Sequence, residues 1–254
     1  MRLFDLTGRV AIVTGGNGGI GLGMARGLCE AGAHAVLVGR NREKGDQAAS
    51  GLDADGLKAS FIEADVTDEA ACRRAVASVV AAQGGVDILI NNAGIAIRKQ
   101  PEDYTLAEWH KVLDTNLTSA FIMSQAVHTS MKARGGGKII SIGSVLALFG
   151  APFSVAYSSS KGGLVQFTKA LATAWAPDNI QVNAILPGWI DTELTVAARA
   201  QVEGLEAKIM DRVPAKRWGK VQDFAGAAIF LSGAASDFVT GTSLLVDGGF
   251  AAQG

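Results

Sequence analysis

Short apolar runs alternate along the chain with longer segments in which apolar residues recur every three or four positions. The runs have the length of strands that are buried on both faces, and the wider spacing is that of helices with one apolar side. The predicted strands are 9–14, 35–38, 59–64, 86–90, 138–144, 180–186 and 243–249. The predicted helices are 22–30, 42–52, 67–83, 105–132, 154–175 and 221–232. This alternation predicts an α/β fold, a doubly wound sheet of seven parallel strands with helices on both faces.

One further segment, 192–212, has a mixed helical pattern and follows the sixth predicted strand. A segment in this position can close over a ligand cleft, so we expect a substrate-covering lid at about 188–218. The chain shows no composition break, linker or internal repeat. Its 254 residues are therefore interpreted as a single domain, 1–254.

Composition narrows the class of protein. Apolar residues make up 48% and charged residues 19%, which fits a sheet that is covered on both faces. The formal net charge is −1 and the basic residues are scattered, so no nucleic-acid or membrane partner is expected. We find no secretory signal and no apolar run near the roughly 20 residues that cross a bilayer. Cys29 and Cys72 lack metal-type spacing, which predicts no metal site and favours free thiols in the cytoplasm.

The first predicted strand runs directly into a glycine turn that holds Gly15, Asn17, Gly19 and Gly21. A strand, a glycine turn and a helix in this order present backbone N–H groups and a helix N-terminus to a pyrophosphate. The alternative is a plain tight turn in which glycine only supplies positive φ angles. The order of the elements favours a dinucleotide site.

The end of the second predicted strand indicates which dinucleotide is bound. An acidic residue here holds the ribose 2′-hydroxyl of NAD, whereas an arginine suits the 2′-phosphate of NADP. Gly39 stands at the acidic position and Arg40 follows it, so NADP is favoured over NAD unless Arg40 is only a solvated charge. Asp65, at the end of the third strand, could bond the adenine, although Asp65 or Thr67 could equally cap the next helix.

Three amide side chains fall in apolar surroundings and therefore need hydrogen-bond partners. Asn91 and Asn92 end the fourth predicted strand, where they either brace the glycine turn or line the cofactor cleft. Asn116 lies on the apolar face of the helix 105–132. There it is either a satisfied structural residue or a route by which water reaches a buried site.

Tyr157 and Lys161 are the candidate pair for acid–base chemistry. Four residues apart on a helix, the phenol and the ammonium share one face. A phenol ionises near pH ~10 and a nearby cation favours its charged form, so such a pair can act closer to neutral pH. The spacing also arises by chance, so the pair needs neighbours. Ser144 ends the fifth strand, and ligands bind at the carboxyl ends of parallel strands, so Ser144 and Tyr157 can meet the glycine turn at one cleft.

Together these motifs resemble the short-chain dehydrogenases/reductases over nearly the whole chain. The resemblance rests on Thr14-Gly15 with Gly19-Ile20-Gly21, Asp65-Val66, Asn91-Asn92-Ala93-Gly94, Asn116, Ser144 thirteen residues before Tyr157, Lys161, Pro187-Gly188 with Thr192, and Val246-Asp247-Gly248-Gly249. It implies a Rossmann-like catalytic domain, an NAD(P)-dependent oxidoreductase that interconverts a secondary alcohol and a ketone, and a homotetramer.

The resemblance also implies roles for individual residues. Tyr157 is the expected catalytic acid/base, Lys161 lowers its pKa and holds the nicotinamide ribose, and Ser144 bonds the substrate oxygen. Asn116 is expected to position a water in the proton relay. The expected cofactor-binding residues are Gly15, Asn17, Gly19, Ile20, Gly21, Arg40, Asp65, Val66, Asn92, Ala93, Gly94, Tyr157, Lys161, Pro187, Gly188, Ile190 and Thr192.

Two features indicate different substrates. The segments 4–8 and 209–219 look most like the branch that includes gluconate 5-dehydrogenases, 2-deoxy-D-gluconate 3-dehydrogenases and 3-oxoacyl-acyl-carrier-protein reductases. Arg98 could face a substrate carboxylate, or be a surface charge. The loop after Ser144 is instead apolar, and with Trp189 across the cleft it would suit a cyclic or aliphatic ketone or an acyl chain.

We rank a sugar or sugar acid first, ahead of a 3-oxoacyl or hydrophobic, cyclic ketone. A non-enzyme alternative is a dinucleotide-binding sensor in which catalysis is vestigial. The predicted substrate-binding residues are Ser144, Leu146, Tyr157, Trp189 and Arg98.

Overall fold

A computed structural model describes residues 2–202 and 204–253. They contain one sheet of seven strands, and every neighbouring pair of strands is parallel. The strands are β1 Val10–Thr14, β2 His34–Gly39, β3 Ala59–Glu63, β4 Ile88–Asn91, β5 Gly137–Ile142, β6 Ile180–Pro187 and β7 Ser243–Val246. The predicted doubly wound α/β fold is therefore confirmed.

Helices follow the strands in alternation, as the sequence pattern predicted. They are α1 Gly19–Glu30, α2 Arg42–Ala54, α3 Glu69–Gln83, α4 Leu106–Leu113, α5 Ser119–Ala133, α6 Val155–Trp175, α7 Glu193–Gln201, α8 Leu205–Arg212 and α9 Ala225–Ser232. Helices α1 and α9 pack on one face of the sheet, and α3, α5 and α6 pack on the other. No helix among the described residues is long and apolar enough to cross a membrane.

The central strand β1 shows why these runs are continuously apolar. All five of its residues are buried. Ala11 and Val13 belong to the core on one side of the sheet, whereas Val10 and Ile12 belong to the core on the other. Successive side chains of a strand point to opposite faces, so a strand with helices on both sides is apolar at most of its positions.

The strand order, β3-β2-β1-β4-β5-β6-β7, places the ligand cleft. The chain begins in the middle of the sheet at β1, builds outward to β3, and then crosses to β4 and builds the other half. The connections after β1 and β4 therefore diverge. In open α/β sheets the crevice at this switch point, outside the carboxyl ends of the strands, is where ligands bind.

The helix predicted over 105–132 is interrupted by one π-helical turn, Asp114–Thr118, between α4 and α5. The hydroxyls of Thr115 and Ser119 donate to carbonyl oxygens four residues earlier, at 2.8 and 2.6 Å. Such back-bonding competes with the regular helix ladder and bends it. Asn116 lies in the middle of this turn, so the irregularity falls on a predicted site residue.

Two smaller expectations were wrong. The cap of α3 is neither Asp65 nor Thr67 but Asp68, whose side chain accepts a hydrogen bond from the backbone N–H of Ala71. The last strand was predicted to reach residue 249, but β7 ends at Val246. Gly248 and Gly249 have φ angles of +64° and +87°, which an extended strand cannot contain.

Candidate active site

A cleft of about 560 Å³ opens at the carboxyl ends of the central strands. Most of the predicted site residues line it, from both halves of the sheet. They are Gly15, Asn17, Gly19, Ile20, Asn92, Ala93, Gly94, Arg98, Ser144, Leu146, Tyr157, Lys161, Pro187, Gly188, Trp189, Ile190 and Thr192. Five predicted residues do not line it: Gly21, Arg40, Asp65, Val66 and Asn116.

The glycine turn between β1 and α1 is shaped for close approach to a ligand. Gly19 has a φ of +52°, which favours glycine, and begins α1 without a side-chain cap, so N–H groups of the first turn are left for a ligand. Gly21 has a packing role, since a Cβ there would lie 2.4 Å from Asn92 Nδ2 and 2.5 Å from the Gly15 oxygen. An uncapped helix N-terminus beside bare backbone fits the phosphates of a dinucleotide.

Of the two amides at the end of β4, Asn92 both braces the glycine turn and lines the cleft, whereas Asn91 does neither. Asn92 Nδ2 donates to the backbone oxygens of Thr14 and Gly15 at 3.0 and 3.1 Å, and Asn92 also lines the cleft. Asn91 Nδ2 donates to the hydroxyl of Ser124 on α5 at 3.0 Å. The side chain of Asn92 therefore holds the glycine turn against β4, and Asn91 ties β4 to the helix behind it.

The residues predicted to contact the adenosine lie beyond the carboxyl ends of β2 and β3. A Cβ at Gly39 would lie 3.2 Å from Asn17 Nδ2, so Asn17 lies where an acidic side chain on β2 would project. The guanidinium of Arg40 lies 3.8 Å from the carboxylate of Asp65, and its side chain is 65% exposed. Asp65 also accepts two hydrogen bonds from Thr67, at 2.9 and 2.8 Å. Neither Arg40 nor Asp65 lines the cleft, so their contacts with the cofactor stay a prediction.

Ser144 follows β5 and lines the cleft. Its Oγ accepts a hydrogen bond from the backbone N–H of Leu146 at 3.1 Å, and this opens a short 3₁₀ turn. The bond occupies a lone pair and leaves the hydroxyl hydrogen as a donor. The residue is 8% exposed, so that donor acts in a largely water-free setting.

Tyr157 and Lys161 occupy adjacent turns of α6, and the Lys161 Nζ lies 5.5 Å from the centre of the tyrosine ring. Burial raises the pKa of the Tyr157 phenol, whereas a hydrogen bond with Ser144 and the positive charge of Arg98 lower it. Burial lowers the pKa of Lys161 to about 8. Its ammonium donates to the backbone oxygen of Ile142 at 2.7 Å. The contribution of Lys161 to the tyrosine pKa stays a prediction.

Asn116 lies behind the cleft, and both its amide oxygen and its amide nitrogen are hydrogen-bonded to the protein. Its Oδ1 accepts from the N–H of Ile95 at 2.8 Å, and its Nδ2 donates to the Ile95 oxygen and to the Ser160 hydroxyl, both at 3.0 Å. Ser160 in turn donates to the Tyr157 backbone oxygen at 2.7 Å. The amide therefore fixes the loop after β4 against the helix that carries Tyr157.

Arg98 is a further cation of the cleft, besides Lys161, that acts on Tyr157. It is half-buried, lines the cleft and acts on Tyr157 through its charge. Burial lowers the pKa of Arg98, and the neighbouring Tyr157 and Tyr104 hydroxyls oppose that effect. Its Nη1 lies 3.4 Å from the side-chain oxygen of Gln201 on α7. Arg98 is therefore well placed for an anionic part of a substrate.

The segment after β6 packs as a small unit of its own beside this site. Its core joins α7 and α8 to Val145 after β5 and to Phe250 near the end of the chain. Trp189 lines the cleft, and its ring meets that of Trp218 edge to face, with centroids 5.9 Å apart. The guanidinium of Arg212 lies over the Phe250 ring, 4.2 Å from its centre.

Sequence reasoning missed two charged residues of the cleft, Lys44 and Glu193. Lys44 stands on the first turn of α2, four residues after Arg40, a spacing that gives a weak signal for a shared face. Glu193 directly follows the predicted Thr192 at the start of α7. Their side chains form an ion pair of 2.7 Å between residues that are far apart along the chain, and no local pattern shows such a contact.

Known proteins of similar sequence share this architecture over their whole length. Gluconate 5-dehydrogenase of Gluconobacter oxydans is 44% identical over 247 residues, which cover 97% of this chain and 96% of the relative. The 2-dehydro-3-deoxy-D-gluconate 5-dehydrogenase of Formosa agariphila is 42% identical over 251 residues, 98% of this chain and 95% of the relative. The crystal structure of a gluconate 5-dehydrogenase from Burkholderia cenocepacia, in complex with NADP and tartrate, superposes with a TM-score of 0.95 at 41% identity, covering 100% and 99% of the two chains.

The short chain dehydrogenase family matches residues 9–203, which span the glycine turn, Ser144, Tyr157 and Lys161. The chain belongs to the short-chain dehydrogenases, NAD(P)-dependent oxidoreductases that act on CH–OH groups.

Proposed function

We propose that this chain interconverts a secondary alcohol and a ketone of a sugar acid, with NADP as the preferred cofactor. The observation that carries the proposal is Arg98, a half-buried cation that lines the cleft close enough to Tyr157 to change its pKa. A guanidinium in this setting matches a carboxylate well. The related enzymes named above act on gluconates, and one of them holds tartrate together with NADP.

The side chains at the cleft have complementary tasks in this reaction. The nicotinamide ring, when bound, exchanges hydride with the carbinol carbon. Tyr157 takes the hydroxyl proton in oxidation and returns it in reduction. Ser144 donates a hydrogen bond to the substrate oxygen as charge develops there. Lys161 holds the nicotinamide ribose. Asn116 accepts a hydrogen bond from a water of the proton relay at the second lone pair of its Oδ1, since both of its Nδ2 hydrogens are donated to Ile95 and Ser160.

The cofactor preference rests on the rim of the cleft at β2. Gly39 leaves no carboxylate to repel a 2′-phosphate, Asn17 covers that position, and Arg40 is free to turn because its contact with Asp65 is exposed and weak. Gly15, Gly19, Ile20, Ala93, Gly94, Pro187, Gly188, Ile190 and Thr192 line the path of the rest of the dinucleotide. Asp65 and Val66 are proposed to flank the adenine from the rim.

One feature favours a second candidate function, a reductase of 3-oxoacyl or cyclic ketones. Leu146, Phe153 and Trp189 make part of the cleft wall apolar. Such a wall binds a hydrocarbon surface, which a polyol chain does not offer. The two candidates differ in charge, since only a sugar acid or another carboxylate gives Arg98 a partner in the substrate.

A substrate screen with both cofactors tests the proposed function. We expect gluconate-type sugar acids and their keto forms to be turned over best, and NADP to give the higher kcat/KM. Absorbance of the reduced nicotinamide is the measurement, and neutral polyols, β-keto esters and cyclic ketones are the comparison set. Faster turnover of the hydrophobic ketones would favour the second candidate. Tight dinucleotide binding without turnover of any of them would indicate a sensor.

Replacing Arg98 by glutamine should separate acidic from neutral substrates. We expect kcat/KM for the sugar acid to fall about 10- to 100-fold through KM, because a charge-assisted hydrogen bond is lost. Since Arg98 lowers the pKa of Tyr157, the rise of the oxidation rate with pH should also move to higher pH. The neighbouring Lys99, whose ammonium binds Glu108, supplies the control Lys99→Met. Equal losses on acidic and neutral substrates would contradict the assignment.

Three further expectations remain part of the proposal. The segment 188–218 acts as a lid, supported by its separate core.

A homotetramer is supported by exposed apolar side chains on two surfaces, Leu106 and Phe121 on α4 and α5, and Leu245 on the edge strand β7. Light scattering gives the mass that tests this. A cytoplasmic location is supported by two buried, free cysteines.

A further inference from the structure

Three cations, Arg40, Arg42 and Lys44, follow β2 in the sequence, and one of them is held differently from the others. Arg40 contacts Asp65 at 3.8 Å, and Arg42 binds Glu63 at 2.8 Å, so both lie against the neighbouring strand β3 or its end. Lys44 instead reaches across the cleft. Its Nζ donates to both carboxylate oxygens of Glu193 on α7, at 2.7 and 3.0 Å.

The path of this ion pair crosses the glycine turn. A Cβ at Gly18 would lie 3.2 Å from both Cε and Nζ of Lys44, so the lysine covers that glycine. A Cβ at Gly19 would lie 3.8 Å from the Thr192 methyl group, directly before Glu193. The start of α7 and the start of α2 therefore meet over the turn where a dinucleotide phosphate is expected.

The ion pair is built to separate easily. The side chains of Lys44 and Glu193 are 41% and 88% exposed, and exposed ion pairs contribute little to stability. Glu193 stands on the first turn of α7, where the helix dipole favours a carboxylate without any lysine. An ammonium beside a glycine turn holds a phosphate more strongly than an exposed carboxylate, because the N–H groups of the turn bind the phosphate as well.

We propose that Lys44 exchanges Glu193 for a phosphate group of the dinucleotide, and that Glu193 is an internal competitor for this lysine. Without cofactor, the carboxylate holds the ammonium over the glycine turn and keeps α7 against it. With cofactor, the ammonium binds the phosphate and α7 loses this attachment to α2. The inference rests on dinucleotide binding alone and does not depend on the substrate.

Opposite effects of the two single substitutions are the signature of such an exchange. Lys44→Met should weaken dinucleotide binding about 10-fold, since a charge-assisted contact is lost. Glu193→Gln should tighten binding about 2- to 5-fold, since the phosphate no longer competes with a carboxylate. Titration of the intrinsic tryptophan fluorescence with NADP⁺ and with NAD⁺, in the absence of substrate, gives both dissociation constants.

The double variant and two controls make the test decisive. Lys44→Met/Glu193→Gln should bind as weakly as Lys44→Met, because the competitor has nothing left to compete for. Lys169→Met on α6 and Glu206→Gln on α8 change the charge at exposed positions and should leave the constants unchanged. If Lys44→Met weakens the binding of NADP⁺ alone, Lys44 binds the 2′-phosphate. If it weakens the binding of NAD⁺ as well, Lys44 binds the pyrophosphate. Both results support the exchange. Weaker binding in both single variants, or a gain that persists in the double variant, would overturn it.

Discussion

Tyr157→Phe is expected to lower kcat by about 10³-fold or more while the dissociation constant of the dinucleotide changes only a few-fold. The substitution removes one hydroxyl and keeps the ring, so the packing at the start of α6 is preserved. A positioned acid–base group contributes about 10²- to 10⁴-fold to rate, and here the same hydroxyl also receives the hydrogen bond of Ser144 and the field of Arg98. Its loss also leaves the Ser144 hydroxyl without that partner.

The pH dependence gives this prediction a second readout. In oxidation the phenol must be ionised to take the proton, so the rate should rise with pH through the pKa of Tyr157, which burial raises in the enzyme without cofactor. The residual rate of Tyr157→Phe should lack that rise. The chain has only two tyrosines, so Tyr104→Phe is the matched control. Its hydroxyl donates to the Ile97 oxygen, and we expect near-normal turnover. Retention of a tenth of the activity by Tyr157→Phe would refute its role.

The fold could be predicted because its signals are local. A strand covered on both faces is largely apolar, and β1, β4 and β6 consist of buried residues throughout. The parallel topology then brings the residues that end these strands to one edge. Asn92 and Ser144 follow β4 and β5, so they could be assigned to the same cleft as the glycine turn before any coordinates were known.

Long-range contacts explain what the sequence could not show. The effect of Arg98 on Tyr157 depends on how the loop after β4 folds back over α6, and no spacing rule encodes that path. Lys44 and Glu193 meet only because α7 returns to the glycine turn. The apolar spacing predicts a regular α-helix through Asn116. The π-helical turn there depends on side-chain hydroxyls that bond to backbone oxygens and compete with the helical hydrogen bonds. These three features depend on tertiary contacts, and the propensities of single residues carry no information about such contacts.

Lys161→Met is expected to abolish turnover and yet raise the melting temperature. Lys161 is only 4% exposed, and burial lowers the pKa of its ammonium from 10.5 to about 8. At about 1.4 kcal/mol for each pKa unit, this shift corresponds to a cost of about 3 kcal/mol for keeping the charge in the fold at neutral pH. Methionine fills a similar volume without a charge. The gain is offset by the lost bond of the charged ammonium to the Ile142 oxygen, about 1.5–3 kcal/mol, so a net gain of up to about 1.5 kcal/mol and a few degrees is expected.

The pH dependence of that gain distinguishes its cause from improved packing. Because the folded-state pKa lies below the unfolded value, the unfolded chain binds the extra proton between about pH 8 and 10.5, and the wild type gains stability over that range. The melting temperatures of wild type and Lys161→Met should therefore converge above pH 8. Lys138, 8% exposed and paired with Asp237 at 2.8 Å, is the matched buried lysine away from the cleft. Lys138→Met should keep its activity and gain no stability, since it leaves Asp237 without its cation. A Lys161→Met protein less stable than wild type at pH 7 would contradict this prediction. It would show that the buried ammonium stabilises the fold instead of destabilising it.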